Sequence, residues 1–179
     1  MRAEADPEFA PIAERIHANV GRQGFMNLVG AELCELSRGT CTIAVERRPE
    51  LLQQHGFFHG GVTAFLVDNA TTIAAATSRG QPALTAEYKL NLLSPAVGEK
   101  LICRAKVIKP GRQVAVVAAD VFCVSDGVEK HTATALASIA MLNEDVAGKT
   151  KSPRRVRQPG FVVSSSLPGL TRQSIKKIL

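Results

Sequence analysis

Tryptophan is absent from this 179-residue chain and tyrosine occurs once, so aromatic platforms for single-stranded nucleic acid are missing. No C-x-x-C pair is present. Cys34, Cys41, Cys103 and Cys123 stand singly in strand-like segments, the pattern of reduced, buried thiols rather than of a disulfide framework or zinc site. No apolar run approaches the length that crosses a bilayer, so no membrane insertion is expected. The N-terminus carries Glu4, Asp6 and Glu8 with no apolar core of a signal peptide, and a cytoplasmic location is expected. Excess charge is also missing from most of the chain. The net charge of +6 arises after Asn143, where eight Lys or Arg meet two acidic residues, and the first 143 residues are neutral. The basic character therefore belongs to a tail.

What is present fits a globular domain. Hydrophobic residues make up 45% of the chain and charged ones 21%, and the length suits one domain with an appendage. Phe9, Ile12, Ile16 and Val20, three or four apart, predict a short amphipathic helix over 8–20. Strands are expected near 24–36 and 40–47, separated by Ser37-Arg38-Gly39. A loop over 49–59 leads to a helix over 61–78, stopped by Arg79-Gly80 and Pro82. Four more strands are expected near 83–93, 99–109, 113–124 and 128–142, with Pro110-Gly111 and Asp126-Gly127 as turns. Tyr88, Leu90 and Leu92 would face one side of their strand, and Glu87, Lys89 and Asn91 the other. One long helix wrapped by an antiparallel sheet of five or six strands is an α+β arrangement. The division expected is a helical segment 1–22, a domain 23–143, and a basic, flexible tail 144–179 with a short helix at 171–179.

The chemistry concentrates where the loop meets the long helix. Gln53-Gln54-His55-Gly56-Phe57-Phe58-His59-Gly60-Gly61 runs directly into the helix, and Asp68 is the only ionisable side chain from Gly61 to Ser78. Paired glycines at a helix start leave backbone N–H groups and the positive end of the dipole open to a ligand. An acid close to such a turn is what acyl transfer requires. Gly61 is the candidate oxyanion donor and Asp68 the candidate acid. Seven residues place them on one helix face about two turns, ~10 Å, apart, too far for one carbonyl to meet both. His55 and His59 imitate a metal pair, but no third His or Cys accompanies them, and no metal is expected.

His59-Gly60-Gly61 with Asp68 nine residues after the His resembles the signature of hotdog-fold thioesterases, specifically the PaaI-like acyl-CoA thioesterases. The resemblance extends from about Phe25 to Leu142 and includes Leu84 to Ala96 and Lys109-Pro110-Gly111-Arg112. It implies a hotdog fold and hydrolysis of an aryl- or medium-chain acyl-CoA, with coenzyme A as part of the substrate and no cofactor. It implies that Asp68 activates water or attacks the carbonyl itself, and that His59 holds the turn and the approach to the thioester by hydrogen bonds, with Gly60 a candidate for binding substrate. Gln53 stands where many relatives carry Asn, and Gln54 is the alternative for that role. Thr85 is a candidate for binding the attacking water. Lys109 and Arg112 are candidates for the coenzyme A phosphates. The resemblance further implies a homodimer, or a dimer of dimers, whose sites lie across the subunit interface. Rival readings are a non-catalytic acyl-CoA-binding hotdog module, a hotdog hydratase or dehydratase, and a nucleic-acid partner for the tail.

Overall fold

The computed structural model describes residues 6–143. The basic segment 144–179, with the helix expected at 171–179, lies outside the described residues.

A helix α1 (Ala10–Gly21) and a short helix α2 (Gly24–Val29) precede strands β1 (Ala31–Ser37) and β2 (Thr40–Glu46). A single 3-10 turn (Pro49–Leu51) and a loop lead to the long helix α3 (Gly60–Arg79). Strands β3 (Ala83–Leu92), β4 (Lys100–Lys109), β5 (Val114–Ser125) and β6 (Val128–Met141) follow. All six strands form one sheet in the order β1-β2-β4-β5-β6-β3, and every pairing is antiparallel. Register shifts at Leu33/Glu35, Thr85/Glu87, Val107/Lys109 and Val121/Phe122 mark bulges, which bend strands and increase their twist. The expected α+β sheet wrapped round one helix is present.

Period-2 patterning explains the inner face. Leu101, Cys103 and Ala105 on β4, and Ala115, Val117, Ala119 and Val121 on β5, are buried against α3. Many of these are alanines, and they face a helix that itself buries Ala70, Ala74 and Ala75, so helix and sheet approach closely. The hairpin between β5 and β6 turns on Asp126 (φ 50°) and Gly127 (φ 75°), the left-handed pair that Asp-Gly supplies. On α1, Ile16 is buried in the same core, with Ile12 and Val20 packed against it.

Two expectations are corrected, the start of the first strand and the burial of Cys34. The strand expected over 24–36 begins only at Ala31. The preceding residues form α2, which buries Met26 and Val29 one turn apart and ends at left-handed Gly30. Leu92, the last residue of β3, is more exposed than Tyr88 and Leu90, which are half-buried. It is 62% exposed at the end of β3, an edge strand with one open side. Cys34 is exposed on β1, whereas Cys41, Cys103 and Cys123 are buried free thiols.

Candidate active site

Backbone bonds hold the segment before α3 in place. Gly56 N–H donates to Gln53 O and Gln53 N–H to Phe57 O, both at 2.9 Å, making a tight turn that carries the two glutamines. His59 N–H donates to Leu51 O at 2.8 Å, and Phe58 N–H donates to Ala96 O at 3.0 Å, tying the segment to the β3–β4 loop. The buried Phe58 ring anchors it from below. Arg47 reaches across to Gly56 O at 2.8 Å and to Gly98 O at 3.1 Å.

His59 then caps α3. Its backbone is extended, its carbonyl accepts from Val62 N–H at 2.9 Å, and its Nδ1 accepts from Gly61 N–H at 2.9 Å. The N–H expected to polarise a substrate carbonyl is thus already engaged by a neighbouring, solvent-exposed imidazole. A Cβ on Gly61 would lie 2.9 Å from that Nδ1, closer than such contacts allow, so glycine is what lets ring and helix start coexist.

A cleft of about 630 Å³ opens beside this turn, where Gln53, Gln54, His59 and Gly60 meet Thr63, Ser94, Pro95 and Thr132. A second cavity, of about 610 Å³, is lined by His59 and Gly61 together with apolar side chains of α2 and α3. His59 is common to both.

Asp68 lines neither cavity. It is half-buried on α3, in a stripe with Phe65 and Thr72 at helical spacing. No salt bridge among the described residues involves it. One turn further on, the Thr72 and Thr85 hydroxyls share a 2.7 Å hydrogen bond, which places Thr85 against the same stripe. Within one chain, therefore, Gln53, Gln54, His59, Gly60 and Gly61 are brought together, whereas Asp68 and Thr85 are not added to them. Lys109 and Arg112 lie elsewhere again, in a cavity shared with Arg79 and lined, among the described residues, by no acidic side chain. Arg79 ends the helix that Gly60 begins, about 30 Å away along its axis.

Ser94 and Pro95, just beyond the end of β3, both line the cleft, with Thr63 and Thr132. No local pattern announces them, because they reach the turn only through the pairing of β3 with β6 and the Phe58–Ala96 bond. Among the described residues, no group of three or more His, Cys, Asp or Glu side chains gathers as a metal site would require. None of the described helices is long and apolar enough to cross a membrane.

The profile of the thioesterase superfamily matches residues 55–130, which contain the capped helix start and Asp68. A crystal structure of a thioesterase family protein from Silicibacter pomeroyi is 34% identical. The match covers 73% of this chain and 98% of that one, with a TM-score of 0.70. The chain belongs to the thioesterase superfamily. Its six-stranded sheet and central helix are the hotdog fold. The phenylacetic acid degradation protein PaaI of Thermus thermophilus is another structural relative, 30% identical, with 66% of this chain and 98% of that one covered at a TM-score of 0.58. Human acyl-coenzyme A thioesterase 13 is 38% identical over 82 residues. That stretch is 45% of this chain and spans only 57% of the human protein.

Proposed function

We propose that this thioesterase-superfamily protein hydrolyses acyl-CoA thioesters, releasing the free acid and coenzyme A. The observation that carries the reading is the His59-capped start of α3 opening on a cleft that also holds Gln53, Gln54, Thr63 and Ser94. The substrate carbonyl oxygen replaces His59 Nδ1 as the acceptor of Gly61 N–H, and the helix dipole stabilises the negative charge that grows there. The displaced imidazole and Gln53, or Gln54 beside it, then hold the thioester in place. Water attacks the carbonyl carbon as a carboxylate takes its proton, the C–S bond breaks, and the coenzyme A thiolate leaves and is protonated. Alternatively the carboxylate attacks first, and water opens the resulting anhydride.

That carboxylate is Asp68 of a second copy of the chain. Among the described residues, strand β3 leaves one edge unpaired, exposes Leu84 and Leu92, and lies against the stripe of Asp68 and Thr72. A two-fold axis near Phe65 would bring each Asp68 to the other copy's Gly61, with Thr85 alongside to bind the attacking water. The same symmetry carries the Lys109–Arg112 cavity towards the partner's cleft, where those cations meet coenzyme A phosphates. The support for this arrangement is the separation of Asp68 and Thr85 from the cleft within one chain. Relatives named acyl-coenzyme A thioesterase support the choice of substrate.

Release of free thiol from phenylacetyl-, hydroxybenzoyl-, hexanoyl- and lauroyl-CoA tests the reading. Turnover of an aryl or medium-chain member supports it. Binding of all four without release would instead identify a non-catalytic acyl-CoA-binding module.

A further inference from the structure

A cavity of about 480 Å³ lies between α1 and α3 and shares no lining residue with the cleft. Its lining is apolar, with Ile16, Ile73 and Ala76 buried, apart from Arg15, Asn19, Gln23, Thr72 and Gln81. Among the described residues, Arg15 is the only charged side chain lining it, and no salt bridge involves that guanidinium. We infer that this cavity takes the far end of the acyl group and that Arg15 selects an acyl chain ending in a carboxylate. The assignment rests on the thioesterase reading above, and the cavity used is that of the chain supplying Asp68.

The chain from α1 into α2 runs back along α3. Arg15 Nη2 donates to Gly80 O beyond the C-terminal end of α3, whereas Phe25 meets Phe65 edge to face, with ring centroids 4.8 Å apart. Arg15 therefore marks the end of the cavity nearest Gly80, and Gln23 and Thr72 the end nearest Asp68. Asp68, Thr72 and Ala76 share one face of α3, and Ala76 lies about 12 Å along the axis from Asp68. An acyl chain of medium length, its carbonyl at Asp68, follows that face past Thr72 towards Arg15. What meets it there is donors. Asn19 Oδ1 already accepts from Arg22 Nη2 at 2.7 Å, and Gln81 Oε1 from Arg79 Nε at 3.4 Å. Each amide is left with its NH2 group, which has no partner among the described residues. A guanidinium beside two spare amide donors, with no acid on the cavity wall, is what a terminal carboxylate requires, while the apolar lining takes the methylenes before it.

The test is calorimetric binding of coenzyme A and of its S-octyl and S-(carboxyheptyl) thioethers, neither of which can be hydrolysed, beside turnover of octanoyl- and suberoyl-CoA. The wild type should bind the carboxylated thioether about tenfold more tightly than the S-octyl one. Arg15→Gln, which keeps a donor for Gly80 O, should erase that preference. Asn19→Asp leaves the Gly80 bond intact and sets an anion beside Arg15, so it should erase the preference too, even where Arg15→Gln fails to fold. No preference in the wild type, or one that survives in both variants, overturns the assignment whether or not acyl-CoA is hydrolysed. If Arg15→Gln weakens coenzyme A itself as much as the carboxylated thioether, the cation serves a phosphate of coenzyme A and the assignment again falls. A preference that depends on Arg15, in a protein that hydrolyses neither acyl-CoA, keeps the carboxylate site and removes the thioesterase reading.

Discussion

At the scale of single residues, the proposed reaction rests on Asp68 and His59. Asp68→Asn keeps the size and half-buried setting of the side chain but removes the base or nucleophile. Turnover should fall by about 10³-fold or more, with thermal stability within ~0.5 kcal/mol of wild type, since no ion pair is lost. Steady-state kinetics beside a melting curve separates the two. Cysteines make a second, independent prediction. Burial pushes the Cys103 thiol up to about 12 and the Cys41 thiol still higher, each sealed between sheet and helix. A native thiol titration should therefore find one reactive cysteine, Cys34, and four only after unfolding. The buried thiols stay protonated in the folded chain while the unfolded chain ionises near its ordinary value of 9.0. Stability is thus fully present below about pH 9 and declines as pH rises from there. Melting temperatures from pH 7 to 11 check the slope.

At the scale of elements, the start of α3 and the anchoring of α2 are the sensitive joints. Gly61→Ala forces the His59 ring out of its cap and sets a methyl group where the carbonyl would bind, so turnover should drop by about 10²-fold. Arg48→Ala uncaps α2 and should cost about 1–3 kcal/mol, read as a shift in denaturant midpoint. The sequence patterns reached far at this scale. The long helix, its Arg79-Gly80 stop and the Asp126-Gly127 hairpin are all local signals, and each appears in the structure. Helix α2 was hidden because six residues are too few for periodicity to separate a helical turn from a strand. Position β3 at the sheet edge was hidden for another reason: strand order is set by long-range pairing, which no window of sequence records. For the site, His59, Gly60 and Gly61 were legible because cap and glycine chemistry is local. Ser94 and Thr132 were not, since only the fold brings them to the cleft.

At the scale of the whole molecule, the proposed site is complete only in a pair of chains. Asp68→Asn and His59→Ala proteins should each be nearly inactive, because every site in either homodimer lacks one group. When the two are unfolded and refolded together at equal concentration, about half the dimers are mixed, and one site in each mixed dimer is intact. Thiol release from the preferred acyl-CoA by that mixture is the measurement that bears most directly on the account. Recovery of roughly a quarter of wild-type turnover is the predicted result. A mixture no more active than its two components would contradict the shared site and return Asp68 to its own chain's cleft or to no role in the reaction.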